Sequence, residues 1–387
     1  MSEKLYYIDS HAFEFDARVL SCERNGKGQF ETELDRTAFF PEGGGQYGDC
    51  GFIGEVYIYD TRTKDSRIVH ISDKPLTIGQ EYHCKLDKKQ RFRNMQHHSG
   101  EHILSGLFHR LYGYNNIGFH LGKDRVTIDI DANLHEEEIR TVELSANEAV
   151  YKNVPVKTYF PTKEELSKIN YRSKKEIADD LRIVEIEGYD VCACCAPHVN
   201  YTGEIGAILI SDYIKYKSGT RITIKCGYDA LGDYTEKNAV LKSIGQALSS
   251  PPEKAYEALE RLISERDRLK EETEKANRSV ADFLIEKELG NRIICIFGNF
   301  DRQTMIYGAD KSANESEISF FFSGDDSEEY IFVISSVRHD LLEIKSDMSK
   351  TLDVRGGGNA QRISGTIKSG KKEICEYINS LREKWKD

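Results

Sequence analysis

Residues 96–112 read QHHSGEHILSGLFHRLY, a stretch with helical periodicity. With His98 at 0° on a helical wheel, His102 falls at about 40°, and the apolar residues between Ile103 and Leu111 fall between about 140° and 280°. Two histidines four residues apart on one helix face can reach a single metal ion. The stretch therefore predicts a helix with an apolar core side and, opposite it, a pair of candidate metal ligands. His109 lies too far along the axis to join them.

A second candidate pair of ligands occurs in residues 191–206, VCACCAPHVNYTGEIG, where Cys194 and His198 are four residues apart in a loop. With His98 and His102 they would supply one thiolate and three imidazoles, a set that suits tetrahedral Zn²⁺. Cys192 or Cys195 could replace Cys194. The cysteine cluster alone could also form an independent soft-metal or redox site.

His98 to His102 also match H-x-x-E-H, the inverted zinc-peptidase motif with Glu101 as general base. That interpretation requires a downstream glutamate ligand and gives Cys194 and His198 no role. A thiolate ligand also lowers the Lewis acidity that a peptidase needs. The four-ligand zinc site is therefore the favoured hypothesis.

The pattern of the chain predicts an α+β protein. Residues 1–88 are rich in short β-type runs and predict a small barrel. Residues 89–235 predict an α+β zinc domain, with helices at 90–111, 136–152 and 163–173 and strands near 125–130, 156–160, 183–186, 205–212 and 220–227. Residues 236–290 predict a helical hairpin and 291–387 a C-terminal α/β domain. Within the hairpin, apolar residues recur by fours and threes from Ala255 to Phe283, a coiled-coil seam that would pack on the preceding helix or on a second subunit. A long amphipathic helix lying on a core is the alternative.

Composition predicts a soluble, cytoplasmic chain without a membrane segment. It has 387 residues, 39% hydrophobic and 31% charged, without an apolar run of membrane-spanning length or a signal-peptide core in residues 1–20. The net charge of the chain is −11. Three acidic stretches, 124–148, 253–288 and 325–329, together carry a larger negative charge than the whole chain. The remainder is slightly basic, so a basic working face is compatible with the overall charge.

Two glycine-rich loops are further candidates for ligand contact. Residues 36–51 read RTAFFPEGGGQYGDCG, and residues 355–361 read RGGGNAQ. Neither is a phosphate-binding loop of the Walker type, because no Gly-Lys-Ser/Thr follows. Each could be a tight turn, or could let the backbone approach a ligand closely.

The chain resembles the editing domain of alanyl-tRNA synthetase and its free-standing relatives in three successive motifs: the glycine loop, then HSGEH, then CCAPHVNYTGEIG. The resemblance covers residues 1 to about 235, and the helical hairpin and glycine-containing C-terminal domain resemble the end of the same synthetase. About 35 residues precede Thr37, too few for an aminoacylation domain, so the chain resembles the long free-standing form. This implies a zinc-dependent hydrolase that deacylates mischarged tRNA(Ala), seryl-tRNA first and glycyl-tRNA second. A non-catalytic tRNA-binding or dimerisation protein with structural zinc, a peptidase and an editor of threonyl-tRNA are the alternatives.

The resemblance also implies roles for individual residues. The zinc ligands correspond to His98, His102, Cys194 and His198, and Gly43–Gln46 border the aminoacyl-adenosine end. His120 occupies the place of a polar residue facing the pocket. We therefore predict that His98, His102, His120 and Gln46 take part in catalysis. Substrate contacts are predicted for Thr37, Gly43, Gly44, Gly45, Lys89, Arg93, Arg221, Arg355 and Gly357, and homodimers through the coiled coil and C-terminal domain.

One departure concerns the second ligand pair. The family's usual Cys-Gly-Gly-Thr-His is here Cys194-Cys195-Ala196-Pro197-His198, which keeps the ligand spacing but loses the glycines and the threonine hydroxyl. Basic residues that suit RNA cluster at 85–93, 215–221 and 368–372: Lys85, Lys88, Lys89, Arg91, Arg93, Lys215, Lys217, Arg221, Lys368, Lys371 and Lys372.

Overall fold

The computed structural model describes residues 2–173, 181–327 and 329–385. Two compact units divide the chain, Met1–Val240 and Leu241–Asp387. Helices and strands alternate with several separate sheets, which confirms the predicted α+β character. Among the described residues, no helix combines the length and the apolar character that crossing a bilayer requires.

The first unit begins with a nearly closed, barrel-like sheet of seven strands, in the order β6-β5-β9-β2-β3-β8-β7. Ala17, Leu34, Phe39 and Ile53 fill its interior. A separate parallel pair, β1 and β4, leads into the glycine loop. The strands are β1 (Glu3–Lys4), β2 (Glu14–Arg24), β3 (Phe30–Leu34), β4 (Arg36–Thr37), β5 (Gly51–Ile53), β6 (Val56–Ile58), β7 (Asp60–Lys64), β8 (Arg67–Ser72) and β9 (Glu81–Leu86).

The middle of the first unit contains two antiparallel sheets, β10-β11-β16-β15 and β12-β13-β14. Residues of helices α1 and α2 and of both sheets share one large apolar core. The elements are α1 (Lys88–Tyr112), β10 (Asn116–Leu121), β11 (Val126–Ile130), α2 (Glu136–Lys152), β12 (Val156–Tyr159), α3 (Lys163–Leu166), β13 (Ile183–Ile186), β14 (Asp190–Ala193), β15 (Ile208–Tyr216) and β16 (Gly219–Cys226). Helix α4 (Tyr228–Ala247) follows and contains the division between the two units.

Helix α1 begins and ends at clear sequence signals. The Asp87 side chain caps it by accepting the Gln90 N–H, and Gly113, at φ 74°, ends it in the left-handed conformation. The helix is buried on all sides from Asn94 to Phe108. The histidine face, which the helical wheel places opposite the apolar side, is therefore also covered by protein. A β-carbon at Gly106 would lie 2.2 Å from the Tyr189 carbonyl oxygen. Only glycine therefore allows helix α1 to lie this close to the residue that precedes β14.

The predicted helix 163–173 is wrong beyond Leu166. Arg172 instead bridges to β14: its N–H donates to the Val191 carbonyl, and its own carbonyl accepts from Ala193 N–H. These two hydrogen bonds pair the backbone N–H and carbonyl groups of Arg172, which a continued helix would have paired internally. Residues 174–180 lie outside the described residues.

The second unit contains a five-stranded sheet in the order β17-β18-β19-β21-β20, in which only the β17–β18 pair is parallel. Side chains of β18 alternate between two cores: Phe321 packs with α5 and α6, and Phe320 and Phe322 with α7 and α8. The elements are α5 (Ala255–Glu288), β17 (Ile293–Gly298), α6 (Arg302–Ala313), β18 (Ile318–Ser323), β19 (Tyr330–Ser335), α7 (Leu341–Met348), β20 (Val354–Gly358), β21 (Arg362–Ile367) and α8 (Lys371–Lys384).

Helix α5 spans the whole predicted seam from Ala255 to Phe283, but its packing differs from that of the seam. Ala281 and Ile285 pack in the core with α6, whereas the seam residues Val280 and Phe283 are exposed. Leu259, Leu262 and Leu269 are exposed as well. The coiled-coil partner, whether the preceding helix or a second subunit, therefore stays a prediction.

Candidate metal centre

Helix α1 and the loop after β14 bring four candidate ligands together. Ligand atoms of His98, His102, Cys194 and His198 all lie within 4.8 Å of one another. The Cys194 Sγ is 3.4 Å from the Nε2 atoms of both His98 and His198. In a tetrahedron around zinc, a sulfur and a nitrogen ligand would stand about 3.6 Å apart. The donor set and its spacing therefore fit the predicted tetrahedral metal.

Each histidine is oriented by a different partner of its Nδ1 atom. His98 Nδ1 lies 3.1 Å from Gln46 Oε1, His102 Nδ1 lies 2.9 Å from the carboxylate atom Asp190 Oδ2, and His198 Nδ1 lies 3.0 Å from Ser99 Oγ. Because each Nδ1 atom is already engaged by one of these partners, the Nε2 atoms are the ones free to bind a metal.

Burial and charge favour the metal-binding forms of His198 and Cys194. Burial lowers the pKa of His198 to about 3, so its imidazole stays neutral. Burial would raise the pKa of the Cys194 thiol, but the neighbouring His98 and His198, with hydrogen bonds from His102 and His198, hold that pKa well below its usual value. Sequence reasoning predicted the ligands but not this electrostatic support for a thiolate.

Asp190 is an orienting residue that the sequence analysis missed. Its carboxylate accepts from His102 and also from Arg172, whose Nε and Nη2 lie 2.7 and 2.9 Å from its two oxygens. Burial alone would raise the Asp190 pKa, but these hydrogen bonds hold it below its usual value. The alternation of β14, which places Asp190 and Cys192 on one side, together with His102, was the available signal.

Replacing Asp190 with asparagine is expected to weaken zinc binding by about 10- to 100-fold, because His102 loses its anionic partner. Competition with a chromophoric chelator measures the affinity. Asp212→Asn, at an exposed carboxylate, is the matched control and should bind zinc like the unaltered protein. An Asp190→Asn affinity within twofold of the unaltered value would contradict this orienting role.

The other cysteines of the cluster occupy different positions. Cys192 is buried and forms a second possible group with His102 and Asp190, while Cys195 is exposed. Glu101 is buried and its Oε1 accepts from the Ser105 hydroxyl at 2.7 Å. Besides His98 and His102, the cluster contains Cys194 and His198 from the loop after β14. The peptidase hypothesis gives these two residues no role.

The glycine loop lies directly against the ligands. A β-carbon at Gly44, whose φ is +62°, would stand 3.8 Å from His98 Cε1 and from Cys195 Sγ. Gly45, at φ +83°, leaves no room for a β-carbon, which would lie 2.5 Å from the Phe119 carbonyl oxygen. Gln46 is buried, and its Nε2 has no hydrogen-bond partner within the part of the chain that the structure describes. The loop thus brings backbone and an unpaired amide donor to the metal ligands.

Two predicted contact residues lie elsewhere than expected. Phe119, rather than His120, packs against His98, with ring centroids 4.9 Å apart. His120 is exposed beside Tyr47, 5.8 Å between centroids. Thr37 is buried; its hydroxyl donates to His70 Nε2 at 2.8 Å and accepts the Phe39 N–H. A direct contact between Thr37 and a substrate would require that hydroxyl to leave His70.

His70 itself makes stability depend on pH. Its Nδ1–H donates to the Thr32 carbonyl, and burial lowers its pKa to about 4. The unfolded chain, with a histidine pKa near 6.5, binds the proton more tightly, so stability falls as the pH drops from about 6.5 towards 4. This residue should account for a loss of about 3 kcal/mol.

Urea unfolding of the His70→Gln variant between pH 7 and pH 4 tests this effect. The variant should lack the loss that the unaltered protein shows. The exposed His83, whose pKa is raised by its hydrogen bond to Asp16, serves as the control position, and His83→Gln should retain the loss. Identical pH profiles for the His70→Gln variant and the unaltered protein would contradict the assignment.

Several of the predicted basic residues are already engaged by other groups of the protein. Arg91 is fully buried and bonds to Asp49, Ser10 and Ala38, so its predicted membership of an RNA-binding cluster is wrong. Lys85 pairs with Glu14, and Arg93 with Asp229. Of the other predicted contacts, Lys89 lies on helix α1, Arg221 lies on β16 and is paired with Asp129, and Arg355 and Gly357 lie on the exposed edge strand β20 of the second unit.

Comparisons with known proteins point to one family. Residues 181–223 match the model for the threonyl and alanyl tRNA synthetase second additional domain. Alanyl-tRNA editing protein AlaX-L of Pyrococcus horikoshii is 34% identical over 272 residues, covering 68% of this chain and 66% of that protein. Alanyl-tRNA editing protein Aarsd1 of Danio rerio is 28% identical over 382 residues, covering 93% of each. Alanine–tRNA ligase of Pyrococcus furiosus is 32% identical over 73% of this chain but only 32% of the ligase. Since the editing proteins align along most of their length, whereas the ligase aligns over a third of its own, this chain belongs to the alanyl-tRNA editing protein family.

Proposed function

We propose that this protein is a trans-acting hydrolase that removes wrongly attached amino acids from tRNA(Ala), seryl-tRNA(Ala) first and glycyl-tRNA(Ala) second. The observation that carries the proposal is the cluster of His98, His102, Cys194 and His198 beside the glycine loop. The names of the relatives support the substrate class. Such an activity has a physical purpose, because a synthetase pocket sized for alanine cannot strongly reject glycine or serine by binding alone.

Zinc is the metal proposed for this cluster, because one thiolate and three imidazoles with Nδ1 already engaged match its preferred ligands. Bound there, zinc would supply Lewis acidity towards a substrate amino or hydroxyl group, or towards a water.

The groups proposed to hold the reacting ester belong to the glycine loop. Gln46 Oε1 is occupied by His98, so the amide nitrogen is the free end of its side chain. A buried donor without a partner costs free energy, which a substrate oxygen would recover on binding. Among the described residues, the N–H groups of Gly44 and Gly45 also make no hydrogen bond. These donors could orient the ribose or stabilise the developing charge on the ester carbonyl.

The predicted substrate contacts outside this loop remain proposals. Lys89 and Arg93 start helix α1, close to the loop. Arg221, although paired with Asp129, stacks on Tyr216 with its guanidinium 3.6 Å from the ring centroid. We assign Arg355 and Gly357 to tRNA binding by the C-terminal unit. We also propose that the ranges 1–88, 89–235, 236–290 and 291–387 are separate functional domains. The proposed assembly is a homodimer.

A deacylation assay on a panel of substrates tests the proposal. Seryl-tRNA(Ala) and glycyl-tRNA(Ala) should be hydrolysed, while alanyl-tRNA(Ala) and seryl-tRNA(Thr) should be spared. Hydrolysis of seryl-tRNA(Thr) in preference to seryl-tRNA(Ala) would move the function to threonyl editing. Equal hydrolysis of alanyl-tRNA(Ala) would contradict an editing role.

A non-catalytic tRNA-binding protein with structural metal is the second candidate. The observation that favours it is the completeness of the ligand set: four protein ligands, two of them 3.4 Å from Cys194 Sγ, resemble a closed structural zinc site. Such a protein would bind tRNA without releasing the amino acid.

A further inference from the structure

A cavity of about 330 Å³ opens beside the glycine loop. Tyr47 lines one wall, and its neighbour Gln46 bonds to the candidate ligand His98. Leu121 also lines the cavity and donates its N–H to the Gly45 carbonyl at 2.8 Å. The cavity therefore begins one residue away from a group that orients a metal ligand.

The charge of this cavity is positive. Lys89, Arg93 and Lys123 line it together with one carboxylate, Asp87. Asp87 caps helix α1 by accepting the Gln90 N–H at 3.0 Å, and Arg93 is paired outside the cavity lining with Asp229. Within the described ranges, neither Lys89 nor Lys123 forms an ion pair with a carboxylate. Two ammonium groups are thus available to an anionic ligand.

Exposed aromatic rings complete the lining. The side chains of Tyr47 and Tyr57 are 42% and 44% exposed, and both line the cavity. Unpaired cations interleaved with exposed rings are the combination that binds single-stranded nucleic acid, in which phosphates meet the cations and bases stack on the rings. A duplex would present its phosphates but keep its bases stacked on one another, which leaves the rings unused.

We propose that this cavity binds the single-stranded nucleotides immediately before the 3′-terminal adenosine of tRNA. Lys89 and Lys123 contact their phosphodiester groups, and Tyr47 and Tyr57 stack on their bases. The assignment rests on the proposed function, which puts the terminal aminoacyl-adenosine at the metal centre. Because the cavity holds nucleotides and not the amino acid, it contributes affinity and does not discriminate serine from alanine.

Binding of the labelled tetranucleotide ACCA to the full chain tests the cavity without any hydrolysis. Each phosphate contact on a single strand contributes about 0.7 to the slope of log affinity against log salt concentration. The double variant Lys89→Gln/Lys123→Gln should therefore lose about 1.4 from that slope and about 25-fold in affinity at 0.1 M salt. Tyr57→Ala should weaken binding about tenfold through lost stacking.

Lys74→Gln/Lys168→Gln is the matched control, because both lysines are exposed in the same unit but outside the cavity. Its affinity and salt slope should equal those of the unaltered protein. An unchanged slope in Lys89→Gln/Lys123→Gln, an equal loss in the control, or tighter binding of a blunt RNA duplex than of ACCA would overturn the proposal.

Kinetics separate this subsite from the proposed function. For Lys89→Gln/Lys123→Gln, kcat/KM for seryl-tRNA(Ala) should fall mainly through a higher KM, whereas kcat/KM for 3′-O-seryladenosine, which lacks those nucleotides, should fall much less. An equal loss on seryladenosine would contradict the subsite. If the unaltered protein binds ACCA through these lysines but hydrolyses neither substrate, the proposed hydrolysis fails and the nucleotide site stands.

Discussion

Replacing His102 with alanine is expected to lower zinc affinity by more than about 100-fold and to abolish deacylation of seryl-tRNA(Ala). A residue that only orients a ligand is worth about 10- to 100-fold in metal affinity, and His102 is a candidate ligand itself. Its loss also leaves the Asp190 carboxylate, bonded to Arg172, without its imidazole partner. Metal content by mass spectrometry and the rate of serine release measure the two effects.

His109→Ala is the control for this variant, because His109 lies on the same helix but is exposed and outside the ligand cluster. It should keep both zinc and activity. His102→Cys, which restores a ligand of the same metal, should recover zinc binding if the alanine variant fails to fold. Full deacylation by a zinc-free His102→Ala protein would reject a catalytic role for the metal.

Replacing Arg91 with methionine is expected to destabilise the first unit by about 3–5 kcal/mol. Arg91 and Asp49 form a fully buried ion pair, with Arg91 Nε 2.8 Å from Asp49 Oδ2. The same carboxylate oxygen accepts the Phe40 N–H, and Arg91 also donates to the Ala38 carbonyl. The pair therefore anchors both ends of the glycine loop to helix α1, and its loss should reduce deacylation as well. The free energy of urea unfolding measures the first effect.

The exposed pair Arg125–Asp212 provides the comparison, since both side chains are more than half exposed. Arg125→Met should cost about 1 kcal/mol or less. The double variant Arg91→Met/Asp49→Leu should be more stable than Arg91→Met, because it leaves no buried charge unpaired. A loss below about 1 kcal/mol for Arg91→Met would show that the pair does not anchor the loop.

Local periodicity was sufficient to predict several of the helices and the candidate metal ligands. The i, i+4 pairs His98–His102 and Cys194–His198 carry their chemistry in their spacing, and the helix 136–152 shows an amphipathic pattern that ends at Asn153. The ends of the helix 163–173 were not predictable in this way, because the strand pairing of Arg172 depends on residues that follow it by about twenty positions.

The parts of the site that depend on tertiary contacts could not be read from spacing. Arg91 looked like one member of a basic surface run, yet its partner Asp49 lies 42 residues earlier and takes it into the core. His120 and Phe119 are neighbours on β10, and only the register of the strand decides which of them meets His98. Asp190, by contrast, had a usable signal in the alternation of β14.

The central claim is catalytic release of a wrong amino acid, and multiple-turnover deacylation tests it most directly. Zinc-loaded protein at about one-hundredth of the concentration of seryl-tRNA(Ala) should release most of the serine, many equivalents per chain, while alanyl-tRNA(Ala) remains charged. Serine release no faster than in buffer, although the protein binds the tRNA, would contradict the account and leave a tRNA-binding protein with a structural metal.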